Sequence, residues 1–104
     1  VMGRLTGVGG TFCAAHRSPE GITHGHSYEV VAWFETEHSA DARCFQAALN
    51  KMLEQWDHKE LPDNLAWGED IAATIGLLAN CVEVEVRRPL ERIYARWIAD
   101  EVAA

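Results

Sequence analysis

Thr23-His24-Gly25-His26-Ser27-Tyr28-Glu29-Val30-Val31-Ala32-Trp33-Phe34-Glu35 carries two patterns in one stretch. From about His26 to Glu35, Tyr28, Val30, Ala32 and Phe34 alternate with Glu29, Val31, Trp33 and Glu35, which is the period of a strand. The second set is not purely polar, so both faces of the sheet need some cover. Ahead of the strand, His24 and His26 stand two residues apart around Gly25. On extended backbone both imidazoles point to the same side, and the glycine lets another group approach closely. Two neutral imidazoles placed this way form a pincer for a divalent metal such as zinc, which needs at least one more ligand.

The preceding segment supplies a candidate for that ligand. Arg4 to Ala15 is small, apolar and strand-compatible, with Gly7, Gly9 and Gly10 expected to weaken or bulge it, and it ends at His16. Ser18, Pro19 and Gly21 then supply turn chemistry, with Glu20 in the loop. A hairpin of these two strands brings His16 to the His24/His26 pair. Three histidines and an open position are the pattern of a catalytic zinc site rather than a structural one. Spacing alone leaves surface imidazoles as an equal alternative.

Downstream, Ser39 can cap a helix with Asp41 in its first turn, and His38 reads as a solvated turn residue. Ala42, Phe45, Leu49, Met52, Leu53 and Trp56 form a helical stripe that stops around Asp57-His58. A second helix is expected from about Gly68-Glu69-Asp70 to near Asn80, burying Ile71, Ile75 and Leu78. Val82, Val84 and Val86 alternate with Glu83, Glu85 and Arg87 as a third strand closed by Pro89. Glu91 to Trp97 fits a fourth, and Ile98 to Ala104 is compatible with a helix. The order strand, strand, helix, helix, strand, strand predicts an α+β domain spanning 1–104, an antiparallel sheet with both helices on one face. Its other face, with Val31, Trp33 and Tyr94, predicts self-association.

Composition narrows the partners. A net charge of −7 argues against a nucleic-acid backbone. No apolar run is long enough to span a membrane, and Arg4 with three glycines interrupts any secretory segment. Cys13, Cys44 and Cys81 are odd in number, widely spaced and without a C-x-x-C pair, so they are expected as buried small hydrophobes of a reduced, cytoplasmic protein.

Among the remaining polar residues, Asp57 beside His58 can orient the imidazole for proton transfer, although both can equally just end the helix. Glu69 has an ordinary role at a helix N-terminus, and Glu20 can be a plain loop carboxylate.

Phe12-Cys13-Ala14-Ala15-His16, His24-Gly25-His26-Ser27-Tyr28, Trp56-Asp57-His58 and Gly68-Glu69-Asp70-Ile71-Ala72 together resemble the successive signatures of the 6-pyruvoyl-tetrahydropterin synthase family, which includes the 6-carboxytetrahydropterin synthases of queuosine biosynthesis. The resemblance covers about residues 10 to 86. It implies the T-fold, whose subunits close into β-barrels, commonly as hexamers of two stacked trimers. It also implies His16, His24 and His26 as zinc ligands, Asp57 and His58 as a proton-transfer pair, Glu69 in substrate binding, and a pterin-like small-molecule substrate.

Two departures stand out. Members of the synthase type carry a cysteine four residues before the first histidine of H-G-H, where this chain has Glu20. A subgroup with glutamate there makes 6-hydroxymethyl-dihydropterin from dihydroneopterin triphosphate, which implies Glu20 as the base of a side-chain cleavage. The glutamate that members place at the end of the third strand to grip the pterin is replaced by Val86 or Arg88. The expectation is therefore a zinc-dependent lyase-type enzyme acting on a dihydropterin side chain. The alternatives are a weakly active relative that binds zinc and another heterocycle, or a structural T-fold oligomer.

Overall fold

The computed structural model describes residues 4–36 and 42–100. Within them a five-stranded sheet carries two helices. In chain order the elements are β1 (Leu5–Arg17), β2 (Thr23–Glu35), α1 (Ala42–Glu54), β3 (Lys59–Glu60), a 3-10 turn (Asp63–Leu65), α2 (Gly68–Ile75), β4 (Cys81–Arg88) and β5 (Ile93–Ile98). The spatial order is β3-β1-β2-β4-β5, antiparallel except for the β1–β3 edge. The α+β order read from the sequence is present, with β3 added. Ser39, Asp41 and the turn residue His38 lie outside the described residues.

β1 and β2 pair without a break from Leu5↔Glu35 to Arg17↔Thr23, so the glycines do not bulge β1. Gly10 is needed for packing instead: a Cβ there would lie 2.8 Å from Leu53 Cδ1 of α1, and its absence lets the helix sit close on the strand. The turn between the strands is closed by Ser18 N–H donating to the Ile22 carbonyl at 2.8 Å, with Gly21 at φ 85°.

The inner face of the sheet follows the two-residue period. Val8, Phe12 and Ala14 of β1, Tyr28, Val30, Ala32 and Phe34 of β2, and Val84 and Val86 of β4 are buried with Leu49, Leu53, Ile71 and Ile75 from the helices. These belong to a single core cluster, so both helices cover the same face. Phe12 stacks on Tyr28 with ring centroids 4.7 Å apart, and Phe34 stacks on Phe45 at 4.4 Å. At the far end of β4 the register shifts between Trp33 and Phe34, so Cys81 rather than Val82 pairs with Phe34 and is buried.

Three expectations need correction. α2 ends at Ile75, not near Asn80: Gly76 N–H still donates to the Ala72 carbonyl, but Leu77 and Leu78 N–H donate only three residues back, to Thr74 and Ile75, so the segment after Ile75 is a run of turns. Ile98 completes β5 rather than starting a helix, and Ala99 N–H still donates to the Val82 carbonyl. Only Cys81 is a buried cysteine, its thiol pushed up to about 11 by desolvation. Cys13 and Cys44 are exposed, Cys13 because it faces outward between inward Phe12 and Ala14.

The outer face carries Leu5, Trp33, Tyr94 and Ile98, all exposed. Beside them runs a ladder of ion pairs, Glu29–Arg87–Glu85–Arg96–Glu83. Glu83 and Glu85 are thus committed to the outer face, away from the histidines. Hydrogen bonds from Arg87 first, and then from Arg96, hold the Glu85 carboxyl below its usual range.

Candidate functional site

The end of the β1–β2 hairpin assembles the histidines. His16 lies directly opposite His24, and Ala14 opposite His26. All three histidines fall on even positions of the strands that bury Phe12, Ala14, Tyr28 and Val30, so they share the inner face at the open end of the core. His16 is buried, at 7% exposure. Its Nε2 is 2.9 Å from His26 Nε2. Ring centroids are 4.8 Å apart for His16 and His26, 6.0 Å for His16 and His24, and 6.3 Å for His24 and His26.

Both of these close-set rings favour the neutral form. Desolvation first, then the Arg88 guanidinium, lowers His16 and His26 below the ordinary imidazole value. His16 Nδ1 is buried with no hydrogen-bond partner among the described residues.

These residues fit a zinc ion. Zn–N bonds of about 2.0–2.1 Å at tetrahedral angles put ligand nitrogens roughly 3.3 Å apart and ring centroids about 5 Å apart. The His16/His26 pair is close to that spacing. His24 is exposed at the strand end and stands about 1 Å further out, within reach of a side-chain rotation. Among the described residues, no group of three or more His, Cys, Asp or Glu side chains forms a ready-made metal cluster. An ion there would find two nitrogens preplaced, with His24 one rotation away.

Asp57 and His58 form a second unit. α1 ends at Glu54 and the chain turns through His58, at φ 60°, into β3. A left-handed backbone on a non-glycine residue costs roughly 1–2 kcal/mol, held here by His58 N–H donating to the Cys13 carbonyl at 2.6 Å and Leu61 N–H to the Ala15 carbonyl at 2.7 Å. The two side chains do meet: His58 Nδ1 is 2.9 Å from Asp57 Oδ2. The other oxygen, Asp57 Oδ1, accepts from Cys13 N–H at 2.9 Å. That backbone bond first, with His58 adding to it, holds the Asp57 carboxyl below its usual range. The imidazole is thus oriented by its neighbour, the arrangement that a plain helix end does not need.

Between this unit and the hairpin lies an open cavity of about 550 Å³ whose lining includes Cys13, His26, Ser27, His58 and Glu91. Within one chain, His58 and His26 thus face one space without touching. Glu20 is exposed in the turn and has no hydrogen bond or ion pair to the described residues. Glu69 opens α2 and lines a smaller cavity with Trp67 and Arg88.

Three residues near the histidines escape a reading by spacing. The Trp67 ring is 6.5 Å from that of His16. Glu91 Oε1 is 3.7 Å from His26 Nδ1, and Arg88 Nε donates to the same oxygen at 3.1 Å. Each comes from a turn or strand end whose approach to the hairpin depends on sheet order, which no local pattern reveals.

The model of the family described as 6-pyruvoyl tetrahydropterin synthase matches residues 8–103, nearly the whole chain. The chain belongs to the 6-pyruvoyl tetrahydropterin synthase family. Its α+β sheet with two helices is consistent with the T-fold. Membership carries a pterin-related, lyase-like enzymatic role at the level of the family. No curated protein matches the chain. No helix among the described residues is long and apolar enough to cross a membrane.

Proposed function

We propose that the chain is a zinc-dependent lyase that cleaves or eliminates within the side chain of a dihydropterin such as dihydroneopterin triphosphate. The observation that carries the reading is the 2.9 Å approach of the His16 and His26 Nε2 atoms, in a chain matched over 8–103 by this family's model. His16, His24 and His26 would hold the ion. When bound, zinc supplies Lewis acidity to the hydroxyls of a polyhydroxylated side chain.

The chain's own residues supply the rest. Glu20 is the base that takes a hydroxyl proton as the adjacent bond breaks. Asp57 holds the His58 imidazole by its Nδ1, which leaves Nε2 free to give a proton to, or take one from, the departing fragment. Glu69 contributes to substrate binding. Because His26 and His58 face one cavity without touching, and because Leu5, Trp33, Tyr94 and Ile98 are exposed on the outer face, the working form is a homo-oligomer, a trimer or hexamer. A cytoplasmic setting and a small-molecule ligand, rather than nucleic acid or membrane, complete the reading.

A panel of dihydropterins with product mass analysis tests this. Dihydroneopterin triphosphate is expected to give 6-hydroxymethyl-dihydropterin, and Glu20→Ala to abolish it. That Glu20 makes no hydrogen bond or ion pair with the described residues favours a second reading, a relative that binds zinc and a heterocycle without turnover. Binding without product would select it.

A further inference from the structure

The smaller cavity beside the histidines has walls of unusual chemistry. It encloses about 220 Å³ between the start of α2 and the inner ends of β4 and β5, and Trp67, Glu69, Val86, Arg88, Ile93 and Ala95 line it. This is below the ~300–1,000 Å³ of pockets that engulf a whole small molecule, so it takes one group of a ligand whose remainder lies elsewhere. The neighbouring space is the histidine cluster. Trp67 reaches within 6.5 Å of the His16 ring, and the Arg88 charge is felt at His16, His26 and Tyr28.

Arg88 is held in place by one end only. Its Nε donates to Glu91 Oε1 at 3.1 Å, and that oxygen is also 3.7 Å from His26 Nδ1. Beyond this pairing with Glu91, Arg88 has no hydrogen bond or ion pair with the described residues, and its terminal amino groups donate no hydrogen bond to them. The side chain is 26% exposed. A guanidinium fixed at Nε, with its outer fork free and apolar Val86, Ile93 and Ala95 around it, is arranged to receive a carboxylate or phosphate oxygen pair. Glu69 across the cavity also lacks a partner among the described residues. It repels a bare anion and favours a negative group that carries a donor beside it, such as a monoprotonated phosphate.

We propose that this cavity is an anion subsite in which Arg88 receives a phosphate or carboxylate group of the ligand handled at the adjoining histidines. The link to the histidines rests on the metal-site reading above; the anion subsite itself does not. It assigns to Arg88 the negative group that such a substrate carries beside its reacting side chain.

The test is a titration of the metal-free chain with inorganic phosphate and, separately, acetate, following the Arg88 Nε–H and Trp67 indole N–H resonances. A saturable shift of both signals is expected. In Arg88→Gln the Trp67 shift should be lost or at least tenfold weaker. Arg88→Lys, which keeps the charge but not the fork, should recover part of it. Amide spectra of both variants confirm that they fold. A stronger response to phosphate than to acetate assigns the subsite to phosphate, and the converse to carboxylate. No saturable shift with either anion, or an equal Trp67 shift in Arg88→Gln, overturns the proposal. A parallel zinc titration keeps the readings apart: failure to bind zinc removes the metal site but leaves a phosphate response intact. Zinc binding without an anion response removes this subsite alone.

Discussion

His16 Nε2 and His26 Nε2 face each other at 2.9 Å although the two residues are not opposite in the strand register, where His16 pairs with His24 and His26 with Ala14. The contact is diagonal across the hairpin. The buried ring reaches over its direct partner to the next residue on the same face, leaving His24 at the rim.

That geometry ranks the three proposed ligands. His16→Ala and His26→Ala each remove one of the two preplaced nitrogens, and each is expected to weaken zinc binding by at least ~100-fold, beyond the ~10–100-fold typical of losing an outer partner. His24→Ala should cost less, because that ring must already move to reach the ion. Competition with a chromophoric chelator measures all three.

Asp57 sets a pH dependence. Its folded value lies below the ordinary carboxylate value, chiefly because Cys13 N–H donates to it. A carboxylate depressed on folding contributes stability that is fully present above its unfolded value near pH 3.9 and is lost as pH falls through the lower folded value. Asp57→Asn should therefore lower the melting temperature at pH 7, and the gap to the parent should close as pH drops below about 4. A gap independent of pH would show that the charge is not what matters.

Gly76 tests the packing of α2 against β5. A Cβ there lies 2.5 Å from the Trp97 ring, so Gly76→Ala should destabilise by about 1–3 kcal/mol. Trp97→Leu in the same chain should recover part of the loss. Urea unfolding of the single and double variants gives the comparison.

What the sequence made legible follows from periodicity. The alternation of Tyr28 to Phe34 identifies β2 and places His24 and His26 on one face, and the Ala42-to-Trp56 stripe locates α1, because both signals are local. Turn chemistry at Ser18 to Gly21 adds the hairpin, and with it the meeting of His16 with the His24/His26 pair. The close packing of Gly76 on Trp97 is not legible in this way, since the two residues are 21 positions apart and meet only through the sheet. Nor are β3, which is two residues long, and the approach of Trp67, Arg88 and Glu91, which all depend on strand order. Cys13 departs from its expected burial because apolar neighbours in a strand lie on the opposite face from the residue between them.

Glu20 separates chemistry from stability. It is exposed and unpartnered among the described residues, so Glu20→Ala should leave unfolding within ~0.5 kcal/mol of the parent. If Glu20 is the base, the same change should remove product formation while zinc stoichiometry stays constant. Glu20→Cys, which substitutes a thiol for the carboxylate, should alter the product rather than simply slow the reaction.

The most direct test is turnover of dihydroneopterin triphosphate by metal-stripped protein before and after one equivalent of zinc, with the product followed by mass. The expected result is no product before zinc and 6-hydroxymethyl-dihydropterin after it, in a reaction that His16→Ala prevents. Turnover indifferent to zinc, or zinc bound at the histidines with the substrate recovered unchanged, would contradict the account.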